Sequence, residues 1–129
     1  VMETFTLTIN PPDKRLNPNN ARGNSQWAAI ARDKKKKQAR FASEMVTLSE
    51  MQHQRVKGGW KGATVRVTWY SPTKRFLDRD NARAMLKSTL DGLTRAGLWT
   101  DDNDVDIVSV DRQKDAKHPR VVLVCTQTK

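Results

Sequence analysis

The chain contains one cysteine, Cys125. No intrachain disulfide can brace it, and a reducing compartment suits it. No apolar run approaches the roughly 18 residues of a membrane-spanning helix, and no signal-peptide core follows the N-terminus. Membrane anchoring and secretion gain no support, and the expected location is cytoplasmic. Only two histidines occur, His53 and His118. They are isolated, and His118 sits in a turn before Pro119, so neither has a partner for nucleophilic catalysis. Cys125 falls in an apolar terminal strand where a thiol is inert. A glycine-rich phosphate loop is also missing. Acidic residues are the scarce charge: 14 Asp+Glu stand against 24 Lys+Arg, a formal net charge of +10. That balance points to a polyanionic partner, nucleic acid before membrane.

The 129 residues suffice for one domain with a real core. Phe5–Ile9 alternates apolar and polar residues and reads as a strand, ended by Asn10-Pro11-Pro12. A basic loop (Lys14, Arg15, Arg22) runs on to Asn24. From Gln26 to about Met51 the spacing predicts a helix with an interrupted apolar stripe of Ile30, Phe41, Met45 and Leu48. Lys34, Lys35, Lys36, Lys37 and Arg40 interrupt it. They read equally as a solvated face or as a phosphate-contacting one. Lys57–Gly62 is a turn whose Trp60 packs at an edge more simply than it stacks on a base. Ala63–Tyr70 is a strand with Val65, Val67 and Trp69 on one face. Val105–Val110 and Arg120–Val124 are two further strands. The order β-α-β-α-β-β implies an α+β two-layer sandwich: a small mixed β-sheet of about four strands with two main helices.

Between the second and third strands lies the stretch that needs a chemical explanation. Asp78-Arg79-Asp80-Asn81 precedes a helix expected from about Ala82 to Ala96, with Leu86, Leu90 and Leu93 on one face and Gly97 as its stop. Asp78 and Asp80, two apart on an extended segment, would leave the same face. A turn after Gly97 is expected to bring Asp101 and Asp102 back toward the helix start. Three carboxylates converging in a basic chain call for a hard divalent cation. The run from Asp102 to Asp106 lacks the glycine and terminal glutamate of an EF-hand, so that reading is rejected.

Asp78-x-Asp80-Asn81, then Lys87-x-x-x-Asp91-Gly92-Leu93-x-x-Ala96-Gly97-x-x-x-Asp101-Asp102, resembles the signature of the RusA family of Holliday junction resolvases. The N-terminal strand ending in Pro11-Pro12, with an Asn- and Arg-rich loop behind it, is similar in layout. The resemblance implies a RusA-like fold and a small homodimeric, Mg²⁺-dependent endonuclease (Mn²⁺ substituting) that cuts four-way DNA junctions in a bacterial or phage-infected cell. It assigns the acidic metal positions to Asp78, Asp80 and Asp102 and the catalytic lysine to Lys87.

One spacing departs from the family. Some members carry the lysine four residues after the second Asp, where this chain has Ala84. Seven positions bring a helical side chain back to within about 20° of its start, two turns along. Lys87 can therefore still face the metal side, with Arg83 as the alternative cation. Lys14, Arg15, Arg22, Lys34, Lys35, Lys36, Lys37, Arg40, Lys74, Arg75, Arg79 and Arg83 are the expected DNA-backbone contacts. Two other readings stay open: a non-catalytic, structure-selective DNA-binding protein, and a broader branched-DNA or flap nuclease.

Overall fold

The computed structural model describes residues 2–17 and 26–129. Arg22 lies outside the described residues, as does the side chain of Arg15. The elements are β1 (Thr4–Ile9), a 3₁₀ turn (Lys14–Leu16), α1 (Gln26–Gln54), β2 (Ala63–Ser71), α2 (Arg79–Ala96), β3 (Val105–Lys114) and β4 (Arg120–Gln127). They form the expected α+β architecture, a four-stranded mixed sheet with two helices. Strand order is β1-β4-β2-β3, with β1/β4 and β4/β2 antiparallel and β2/β3 parallel. A parallel pair needs a crossover, and α2 supplies it.

Alternation sets the buried face of the sheet. Phe5, Leu7, Val65, Val67, Val121, Leu123 and Cys125 are buried, whereas Thr6, Thr8 and Arg66 point the other way. The register skips Val108, which bulges out of β3 and is exposed. From α2 the sheet receives Ala82, Met85, Leu86 and Leu93, with Leu90 partly buried.

Two glycines fix how the layers meet. Gly97 closes α2 at φ +89°, a left-handed conformation, and Leu98 N–H bonds back to the Leu93 carbonyl at 3.2 Å. Leu98 and Trp99 then turn into the core beside Trp60, whose ring lies 6.5 Å from that of Trp99. Trp60 is thus a packing residue. Gly92 lies where α1 crosses α2, against the Arg40 carbonyl and Ser43.

The packing of α1 departs from the ordinary amphipathic pattern. Its buried residues are Ser43, Thr47 and Met51, while Trp27, Ile30, Phe41, Met45 and Leu48 are exposed. The apolar stripe read from the sequence therefore points away from the core. The close approach at Gly92 leaves room only for a small side chain, Ser43, where the helices cross.

Candidate functional site

α2 begins three residues earlier than expected. Asp78 is its N-cap (φ −59°, ψ 142°), and Ala82 N–H bonds to the Asp78 carbonyl at 2.9 Å. Asp80 therefore stands inside the first turn, so the two carboxylates do not share an extended face. Two guanidiniums hold this end of α2 to the sheet edge. Arg79 Nε donates to the Val110 carbonyl at 3.2 Å, and an Arg112 amino group donates to the Leu77 carbonyl at 3.0 Å. Arg112 also lies 6.0 Å from the Phe76 ring centroid. Sequence reasoning missed Arg112 because its contact depends on β3 lying parallel to β2.

Both carboxylates are exposed, and Asp78 makes no side-chain capping bond. Asp80 meets Arg83 at 3.6 Å in an exposed pair that contributes little stability. The positive end of the helix dipole also favours an anion here. On the helix projection Lys87 falls within about 20° of Asp80, roughly 10 Å along the axis, and both are exposed. Arg83, on the flank between them, occupies Asp80 in this arrangement.

Asp102 lies elsewhere. The parallel register sets Ala63 beside Val105 and Ser71 beside Lys114, so β3 starts where β2 starts. Asp102 accepts the Val105 N–H through its carbonyl (3.1 Å), and Asp104 likewise accepts that of Ala63 (3.0 Å). Asp78 and Asp80 sit at the other end of α2, whose 18 residues span about 27 Å. The turn after Gly97 thus does not return Asp101 and Asp102 to the helix start within one chain, because it must instead deliver β3 into parallel register. Asp101 serves its own turn, its Oδ1 accepting the Asn103 N–H at 3.0 Å. Among the described residues, no group of three or more His, Cys, Asp or Glu side chains is placed to hold a metal ion.

The donor set at the α2 N-terminus still fits one hard cation. Mg²⁺ is commonly held by one or two carboxylates, with water and substrate phosphate filling the other positions. Asp78 and Asp80 offer two such groups, and among the described residues no third is placed beside them.

Most of the expected basic residues gather toward this end of the sheet. Lys74 and Arg75 are exposed in the β2–α2 loop. Lys35 (3.7 Å from Asp13) lines a cavity of about 450 Å³ with Pro11, Pro12, Thr89, His118 and Arg120. On α1, Lys37 pairs with Asp33 at 3.1 Å, Lys34 and Lys36 are exposed, and Arg40 is half-buried against α2. Lys14 lies in the 3₁₀ turn.

Burial pushes the Cys125 thiol up to about 12, leaving no thiolate near neutral pH. His118 is exposed in a turn built by Asp115, whose Oδ1 accepts the Lys117 and His118 N–H groups. The Arg120 guanidinium beside Asp115 holds that carboxyl below its usual range. Among the described residues no helix is long and apolar enough to cross a membrane. No protein-family model matches the chain, and no curated protein does either.

Proposed function

We propose that the protein is a Mg²⁺-dependent endonuclease that resolves four-way DNA junctions by paired cleavage. The observation that carries this reading is the exposed Asp78/Asp80 pair at the N-terminus of α2. It interrupts a chain of net charge +10, and Lys87 shares the outward face of Asp80. The RusA-like signature in the same residues agrees with it.

Asp78 and Asp80 would hold the ion. A bound Mg²⁺ supplies Lewis-acid activation of water and neutralises charge on a scissile phosphate. Lys87 places its ammonium beside phosphate oxygens that gain charge in the transition state. Lys34, Lys36, Lys74 and Arg75 bind the duplex backbone, giving affinity without sequence choice. A junction is nearly two-fold symmetric and paired cuts need two sites, so the working form is a homodimer. Asp102, at the far end of α2, joins the acidic pair only from a second chain.

The second reading, a non-catalytic structure-selective DNA-binding protein, is favoured because among the described residues no third carboxylate stands beside Asp78 and Asp80. A labelled synthetic four-way junction, incubated with the protein with and without Mg²⁺, separates the two. Mg²⁺-dependent paired nicks support the nuclease. Retained junction binding without cleavage supports the alternative.

A further inference from the structure

Trp27 is 80% exposed, whereas Trp60, Trp69 and Trp99 are at most 5% exposed. An indole carries one of the largest apolar surfaces of any side chain, so leaving it in water calls for a reason. Phe41, 64% exposed, stands about 21 Å further along the same helix. At 100° per residue Trp27, Ile30, Lys34 and Phe41 fall within an arc of about 60°, which Lys37 widens to about 80°. Lys34 is exposed and lies midway between the two rings, about 10 Å along the axis from each. Between Trp27 and Phe41 no acidic residue enters the arc. Asp33, just outside it, is held by Lys37 at 3.1 Å. The face thus runs aromatic, cation, aromatic.

We infer that this face of α1 binds an unpaired strand of nucleic acid, with bases stacked on Trp27 and Phe41 and a phosphate held by Lys34 between them. Surfaces that take single strands without regard to sequence combine these two elements, cations along the backbone and aromatic faces for the bases. Duplex DNA can use the lysines, because its phosphates lie on the outside. Its base faces are already stacked on one another and leave Trp27 and Phe41 nothing to receive. The aromatics therefore select an unpaired strand. An apolar partner laid over the whole face would cover the Lys34 ammonium, which is costly unless an anion comes with it. A strand brings that anion with every nucleotide. The inference rests on the nucleic-acid part of the proposed function, to which it adds a site for an unpaired arm. It needs neither metal nor cleavage.

The test uses the full chain in EDTA with an oligo(dT) of about 16 nucleotides, the upper end of common single-strand site sizes, and a duplex of the same length. Oligo(dT) should quench the tryptophan fluorescence, because Trp27 alone of the tryptophans is open to it. Trp27→Ala and Phe41→Ala should each weaken oligo(dT) binding at least about fivefold, the low end of the loss for one stacked base. Duplex binding and circular dichroism should not change. Trp27→Phe, which keeps an aromatic face, should bind close to wild type but without the quench. A wild-type protein that leaves oligo(dT) unbound overturns the inference; if it still binds and cuts a four-way junction, the proposed function survives that failure. A Trp27→Ala protein that binds oligo(dT) as tightly as wild type overturns it as well. So does one that loses oligo(dT) and duplex alike, or one whose mass in solution falls, which assigns the face to a subunit contact. A protein that passes these tests and leaves the junction uncut in Mg²⁺ upholds the inference and sinks only the nuclease reading.

Discussion

Gly92 presses α2 against the Arg40 carbonyl of α1 so closely that a Cβ at position 92 would come within 2.5 Å of that oxygen. It would also meet Ser43 Cβ at 2.7 Å, and Ser43 Oγ already donates to the Thr89 carbonyl at 2.6 Å. The glycine of the Asp91-Gly92-Leu93 stretch is therefore a packing requirement. It sets how near the two helices stand and, with that, the small side chain of Ser43 at their crossing.

Gly92→Ala accordingly should destabilise the protein by about 1–3 kcal/mol, the usual range for overpacking. At an open helix position the same change would stabilise by up to about 1 kcal/mol. Urea unfolding decides by its sign: a higher midpoint for the alanine variant contradicts the close approach.

Acid sensitivity should trace in part to Glu3. Its carboxylate accepts the Lys57 N–H at 2.9 Å, the Gly58 N–H at 3.1 Å and Trp60 Nε1–H at 3.0 Å, and these bonds hold its pKa below the ordinary carboxylate value. A depressed folded pKa gives stability that is fully present above the unfolded value. That stability is lost as pH falls through the folded one. Glu3→Gln should lower Tm at neutral pH and flatten its fall through the carboxylate range. A fall as steep as that of wild type would remove Glu3 from this role.

On α1, Lys34 and Lys36 are exposed, while Lys37 and Lys35 already meet Asp33 and Asp13. Each phosphate contact adds about 0.9 to the log–log salt slope of duplex binding. Replacing Lys34 and Lys36 by Gln should lower that slope by about 2. An unchanged slope assigns them to a solvated face.

Lys87 and Arg83 divide the cationic work at α2. Lys87→Ala should cut the single-turnover cleavage rate by about 10²–10³ with little change in junction affinity. Arg83, 3.6 Å from Asp80, should affect binding more than rate. A larger rate loss for Arg83→Ala would move the catalytic cation there.

Local chemistry was legible in the sequence where period and stop signals agree. Examples are Val65, Val67 and Trp69 on one face of β2, Leu86 and Leu93 on α2, and Gly97 as its left-handed stop. What depends on neighbours was not. Periodicity shows that α1 has an apolar stripe but cannot say that Gly92 forces the opposite side inward. The positions of Asp102 and Arg112 follow from β3 pairing parallel to β2, which no short-range signal in the turn after Gly97 specifies. With Asp78 as the N-cap and Asp80 in the first turn, Arg79 reaches the Val110 carbonyl from that turn, a contact that no local signal specifies.

The most direct test of the metal-dependent site is Asp80→Asn on a labelled four-way junction in Mg²⁺, with cleavage and binding measured on the same preparation. Asp80 is exposed, so folding should be unchanged. Cleavage should fall below detection, while junction affinity stays equal or rises because a negative charge facing phosphate is removed. Cleavage at the wild-type rate would contradict the assignment of Asp80 to the metal.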